Sequence, residues 1–453
     1  MSRRRPSIFK KSEIQKFFAQ PRKRAYFVFG VLLVGLLIYQ IPWVNERLSW
    51  RLDNLRTRVT YLFNPPDEAI FLPTVAVNFE ATASAVVAAR TPTPTGGPDL
   101  TPAATLPPIP SRVVLEGITY VHQHERWNYC GPANLTMALN YWGWEGDRDD
   151  VAAVVKPGIG GADGKEDKNV MPYEMEDFVE SQTGLQAVTR VGGELDTLKR
   201  LVAAGFPVIV EKGYYERDYT GKLGWLGHYQ FVTGYDEAGG YFIVQDTFLE
   251  TGADGTGANL QWAYQDLLEN WRSFNYLFMV VYPQERFDEV IEALGPWADE
   301  EWANRHALEI ADAEAPTLSG IDQFFAYFNQ GSSHVRLFEY VDAAFAYDFA
   351  FQLYAQLEDD ETSRPYRMMW YQTGPYFAYY YSGRYVDTIN LANTTLFETI
   401  DEPTLEESFY WRGLAREALG ETDNAIADYR ESVRLNPNFG PGWAQLERLG
   451  VGG

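Results

Sequence analysis

Residues 123–143 read QHERWNYCGPANLTMALNYWG, and the fold is decided here. Gly131 and Pro132 directly follow Cys130, placing a proline in the first turn of a helix, where its missing N–H costs nothing. Leu135, Ala138, Leu139 and Trp142 recur at the spacing of one buried helical face. Gly143 suits the stop. The pattern predicts a buried helix that begins at Cys130. A thiol in that position meets unpaired backbone amides and the positive end of the helix dipole, both of which favour the thiolate. The chain has one cysteine, so neither an internal disulfide nor a thiolate metal cage can form.

A thiolate nucleophile works best with an imidazole partner that holds the proton and later delivers it to the leaving group. Of the five histidines, His228 stands at the start of the strand-like run HYQFVTGYD (228–236), after the loop GKLGWLG. The turn EAGG (237–240) and a second run, YFIVQD (241–246), complete a hairpin. That hairpin can bring Asp246 beside His228 to orient the imidazole, with Asp236 as the rival carboxylate. Gln123, seven residues before Cys130, can offer its side-chain amide to a developing oxyanion alongside the Cys130 backbone amide. His122 and His124 form a His-x-His pair, but no further ligands cluster with them in sequence, so no metal is expected. No cofactor is expected either. His306 and His334 read as incidental. The glycine-rich stretch KPGIGGADGKEDKN (156–169) reads as a solvent loop.

Together Gln123, CGPAN (130–134), GHYQFVTGYD (227–236) and VQD (244–246) resemble the papain-like cysteine peptidases of the double-glycine leader peptidase type. The closest resemblance is to the stand-alone, leader-peptidase-like branch. The likeness covers roughly residues 113–283. It implies an α+β papain-like domain with Cys130 as nucleophile, His228 as general base and then acid, Asp246 as the orienting residue and Gln123 as the oxyanion donor. The sequence departs from the family at two points: the Gln-to-Cys spacing is one residue longer, and Thr247 follows Asp246 where the family has proline. No GxxxxGK[ST] loop is present, so the transporter motor fused to true leader peptidases is not expected in this chain. The resemblance implies hydrolysis of a peptide or isopeptide bond, with acyl transfer to an amine as the alternative outcome of the same thiol chemistry. The competing expectation is an inactive papain-like fold retained as a binding scaffold.

Around this domain the chain changes character. Residues 25–41 (AYFVFGVLLVGLLIYQI) are uncharged and apolar, and Pro42 and Trp43 follow. With nine Lys/Arg before the run, the reading is a basic cytoplasmic tail (1–24) and a single-pass signal anchor (25–43) in the cell membrane, with everything beyond it extracytoplasmic. Residues 44–73 suggest a juxtamembrane helix, and 74–112, rich in Thr, Pro and Ala, a semi-extended spacer. From 284 to 453 helical patterns dominate. Residues 406–439 carry Gly413, Gly420, Ala425, Tyr429 and Pro437 at the spacings of a tetratricopeptide repeat, with a weaker copy around Gly383. An all-α, tetratricopeptide-like region is expected there, as a surface for a protein partner or for recruiting substrate.

The charge balance excludes one class of partner. Residues 1–58 carry 13 Lys/Arg against 3 Asp/Glu, so the remaining 395 residues carry 25 against 59. A body this acidic repels nucleic acid. A peptide or protein is the substrate it is expected to meet.

Overall fold

The computed structural model of the chain describes residues 70–74, 108–126, 128–157, 168–217, 223–357, 364–398 and 405–452, together with Tyr26, Phe29, Gly30, Leu33 and Gly35. The basic tail, nearly all of the apolar run, and most of 44–73 and 74–112 lie outside these residues. Among the described residues no helix is long and apolar enough to cross a membrane. The chain divides into two units, 1–60 and 61–453; the second holds the elements below.

The sheet domain is built around seven strands. They are β1 (Arg112–Val114), β2 (Leu185–Arg190), β3 (Val208–Arg217), β4 (Leu223–Asp236), β5 (Tyr241–Gln245), β6 (Leu260–Ala263) and β7 (Phe278–Pro283). Their order is β2-β7-β3-β4-β5-β6, with β1 on β4 outside that path. Every pairing is antiparallel. The aromatic and β-branched runs read as strands lie in β4 and β5, and a run of the same kind, PVIVEKGYY, forms β3, as side chains of that shape fit a pleated, buried surface. Alternation along β3 sends Val208 and Val210 into one core and Ile209 into the other.

On the Ile209 side lies α1 (Cys130–Tyr141), which starts at Cys130 as the sequence predicts. Residues 131–139 of α1 are all buried. Asn134 Nδ2 donates to the Tyr229 carbonyl at 3.0 Å, and Trp142 Nε1 to that of Val281 at 2.7 Å. Gly143 closes the helix at φ +89°, a left-handed position that glycine adopts without strain. Two further helices, α2 (Arg148–Val155) and α3 (Pro172–Gln182), complete this layer, with Leu135, Leu139, Val151 and Phe178 in its core. Against the opposite face of the sheet pack α4 (Leu195–Ala203), α5 (Tyr264–Trp271) and α6 (Phe287–Leu294).

Among the described residues after α6 the elements are helices: α7 (Glu300–Glu314), α8 (Gly320–Arg336), α9 (Tyr340–Gln356), α10 (Gly374–Tyr381), α11 (Tyr385–Asn393), α12 (Glu406–Ala418), α13 (Thr422–Leu435) and α14 (Gly440–Arg448). Gly413 lets α12 and α13 approach closely, since a Cβ there would stand 2.6 Å from the Tyr429 ring. Tyr376 and Tyr379, from the aromatic run 366–381, are fully buried in the core of this region.

Residues 70–74 depart from the expected juxtamembrane helix. They carry no helix and are bound to the helical region. Phe71 is 5% exposed and packs its ring 5.0 Å from Phe351 and 5.9 Å from Tyr379. The Thr74 amide and hydroxyl donate to the two Asp387 carboxylate oxygens, at 2.8 and 3.0 Å. An aromatic side chain finding an apolar pocket outweighs local helix preference. The chain is thus fastened to its helical region ahead of the Thr/Pro-rich stretch read as a spacer.

Phe71→Ala is expected to lower stability by about 3 kcal/mol through lost burial and a residual cavity, and Thr74→Ala by about 1 kcal/mol. Urea unfolding of the variants beside the parent protein measures both.

Candidate active site

The loop entering α1 turns sharply, with Glu125 at φ +70° and Asn128 at φ +47°. The Asn128 carbonyl accepts from Lys156 Nζ at 3.2 Å, and the ammonium lies 4.8 Å from the centre of the Tyr129 ring. Asn134 Nδ2 also donates to the Cys130 carbonyl at 2.8 Å. One side chain therefore ties the first residue of α1 to the β4 backbone at Tyr229, next to His228. That bond sets where the thiol stands.

His228 is 5% exposed and Asp246 1%. Asp246 lies one residue past the end of β5, and the hairpin brings its Oδ1 to 3.2 Å from His228 Nε2. With Nε2 engaged, Nδ1 is the ring nitrogen left for the Cys130 thiol, which His228 also reaches. Asp246 Oδ1 accepts from the amides of Phe248 and Leu249, both at 3.0 Å, and Oδ2 from Gln230 Nε2 at 2.9 Å. Asp236 sits at the far end of β4, paired with Arg112 at 3.1 Å and accepting from the Gly239 amide. It takes no part.

Electrostatics follow from this burial. Desolvation pushes the Cys130 thiol up, but the bond and charge of His228, with the backbone amides of Tyr229 and Gly131, outweigh it and bring the thiol below its ordinary value. Burial depresses His228, yet the Asp246 carboxylate and Cys130 reverse this and raise the imidazole to about 9. Burial disfavours the Asp246 charge, but His228, Lys212 and the Leu249 amide hold it well below the usual carboxylate range. At neutral pH these shifts favour a thiolate beside an imidazolium.

Gln123 is held by Thr247. The Gln123 amide donates to the Thr247 carbonyl at 2.8 Å, and Thr247 Oγ1 donates to Gln123 Oε1 at 2.7 Å. Its side-chain NH₂ is left as the donating end. The family's proline at position 247 would have no hydroxyl to make that bond, so the two departures in sequence meet in one contact.

Two charged residues escaped the sequence reading. Glu211 and Lys212 interrupt the apolar run of β3 and are buried. Lys212 pairs with His228 in register and is 0% exposed. Its Nζ has no hydrogen-bond partner among the described residues and lies 4.2 Å from the centre of the Trp262 ring. Burial lowers it to about 8 against the pull of Asp246. Burial lifts Glu211 well above the carboxylate range, and the charge of Cys130 adds to that rise. The signal that could have found them is the pair of charges in an otherwise apolar strand, PVIVEKGYY.

Of the remaining histidines, His122 and His124 flank Gln123. The His122 and His124 carbonyls accept from Arg148, the His124 ring stacks on Phe248, and His306 bonds Glu194 at 2.9 Å. Among the described residues, one set of three potential metal ligands converges: His334, Glu339 and Asp342, within 4.8 Å of one another. Arg305 already stands 3.7 Å from Glu339 there. The expected solvent loop is described only at its two ends, 156–157 and 168–169. Lys168 departs from that reading. It is buried between Glu174 and Glu406, because an ammonium flanked by two carboxylates can leave water.

Residues 115–278 match the Peptidase_C39 like family. No curated protein matches the chain. Among solved structures, a Bacillus anthracis protein described as a C39-like peptidase is similar at 15% identity, over 39% of this chain and 99% of its own, with a TM-score of 0.30. Xylellain, a cysteine protease from Xylella fastidiosa, is similar at 15% identity, over 48% of this chain and 97% of its own, with a TM-score of 0.25.

Because the thiol is lowered, alkylation of Cys130 by iodoacetamide should titrate with a midpoint below that of an ordinary cysteine. The rate should fall only as pH drops through that midpoint. His228→Ala removes the largest stabilising partner, so the midpoint should move up. Each unit by which the midpoint rises above pH 7 lowers the thiolate fraction there about tenfold, as stopped-time mass spectrometry of the labelled protein will read.

Proposed function

We propose that the chain is a cysteine peptidase in which Cys130 attacks a peptide or isopeptide carbonyl. One observation carries this reading: the buried Asp246–His228 pair is set against a thiol at the start of a helix. In the proposed cycle the thiolate adds to the carbonyl, and the oxyanion is received by the Cys130 backbone amide and the Gln123 NH₂. The His228 imidazolium then gives its proton to the leaving amine as the tetrahedral adduct collapses to a thioester. His228, now neutral, takes a proton from water as water attacks the thioester, and the cleaved acid leaves with the thiolate and imidazolium restored. Asp246 keeps Nε2 occupied throughout, so Nδ1 faces the reaction. An amine in place of that water would give acyl transfer by the same steps.

The apolar run 25–41 supports a single-pass membrane anchor at 25–43 with the body extracytoplasmic, and the Gly413–Tyr429 packing supports a tetratricopeptide-like pair at 406–439. In this proposal the peptidase is tethered to the membrane and the helical region recruits a peptide or protein. The body's negative charge speaks against nucleic acid as the partner.

The test is hydrolysis of a quenched-fluorescent peptide pool by the full chain in detergent. Cys130→Ala should abolish cleavage, and His228→Ala should lower kcat by about 10²-fold or more. Gln123→Ala should lower kcat with little change in KM. An unreactive Cys130 in the folded protein at neutral pH, with no cleavage of any peptide, would sink the proposal and leave the binding-scaffold alternative.

A further inference from the structure

The seam between the sheet domain and the helical region contains two neighbouring cavities of ≈400 and ≈630 Å³, which share Tyr173, Thr373 and Phe377 in their walls. The smaller one reaches the vicinity of Cys130. Glu211 lines it and responds to the charge of Cys130. Tyr371 lines it too, and packs so tightly on Gly227, the residue before His228, that a Cβ there would lie 2.7 Å from its ring.

Arg336, the last residue of α8, is exposed within this smaller cavity. Glu300 and Glu211, which line the same cavity, and Glu176 attract the charge and Arg190 opposes it, but among the described residues no hydrogen bond joins Arg336 to any of them. The helical region treats its other arginines differently. Arg384 pairs with Asp348 and Asp387, and Arg412 with Asp428. In a body with more than two acidic residues for each basic one, an arginine that is hydrogen-bonded to no carboxylate among the described residues is out of pattern. A guanidinium is a planar fork of donors whose best complement is a carboxylate held through two parallel bonds. The aromatic walls and the two adjoining cavities suit a chain with apolar side chains better than a free ion.

The geometry points to a carboxylate-binding subsite at this seam, with Arg336 as its anchor and a carboxylate of the peptide substrate, terminal or side-chain, as its ligand. The inference deepens the peptidase reading and rests on it for taking the ligand to be substrate. It makes Arg336 a specificity-determining residue contributed by the helical region, and the substrate class a peptide bearing an anionic group that the acidic body would otherwise repel.

The experiment uses the full chain carrying Cys130→Ala, which cannot turn over. Three short peptides of one sequence are titrated by calorimetry: one with a free C-terminus and no acidic residue, one amidated with a single Glu, and one amidated with Gln in its place. At least one carboxylate peptide should bind tenfold or more tightly than the fully amidated one, and the arm that does so identifies the source of the carboxylate. Arg336→Gln should erase the preference with an unchanged thermal midpoint, and Arg336→Lys should retain part of it. Equal binding of all three peptides, no binding of any, or a preference that survives Arg336→Gln would overturn the subsite. Binding is read without the thiol, so a failure of Cys130 labelling would overturn the peptidase reading while leaving this result to stand or fall separately.

Discussion

A carboxylate taken out of water must find donors for its oxygens or lose its charge, and the site is organised around that demand at Asp246. Four groups meet it: the His228 ring, the Gln230 amide and the backbone amides of Phe248 and Leu249. Each fixes something else. The two backbone donors bend the chain as it leaves β5, Gln230 locks the face of β4, and the imidazole is left with a single free nitrogen. Lys212, buried beneath with no hydrogen-bond partner among the described residues, adds positive charge on the same side. The low-dielectric setting that makes an unsatisfied charge costly also makes this satisfied network stiff.

Much of this was legible in the sequence because it depends on short-range pattern. Gly-Pro after Cys130 marks a helix start, and period and composition separate β4 and β5 from the turn between them. The hairpin then implies that Asp246 returns toward His228. The longer spacing from Gln123 to Cys130 was legible only as an irregularity. In the structure that stretch contains the left-handed residues Glu125 and Asn128, while Gln123 is secured from Thr247 instead. What could not be read depends on contacts between distant elements. Nothing near Phe71 in sequence indicates that it enters the core of the helical region. Nothing near Lys168 indicates the two carboxylates that bury it, one of them more than 200 residues away. Glu211 and Arg336 look like surface charges until the chain is folded.

The helical region is more than an appendage. Lys168 draws Glu174 of the sheet domain and Glu406 of α12 to one ammonium. The two carboxylates crowd each other, and burial with that repulsion holds Glu174 at about 7 despite the ammonium beside it. Nearby, Asn169 Nδ2 donates to the Trp370 carbonyl at 3.3 Å, and Tyr371 rests on the strand that carries His228. Glycine at position 227 is what allows that aromatic ring to lie so near the reactive groups. The helical region thus helps to form the wall of the site.

The seating of Phe71 and Thr74 on the helical region has a mechanical side. The backbone enters the body there before it reaches the sheet through β1. Tension applied to the first 69 residues would therefore be carried by an aromatic plug and a Thr–Asp clasp on α11, and would bypass the strands that hold Cys130, His228 and Asp246. Shear across the helical core would precede any load on the sheet, so the residues that need the tightest alignment are the ones shielded from strain along the chain.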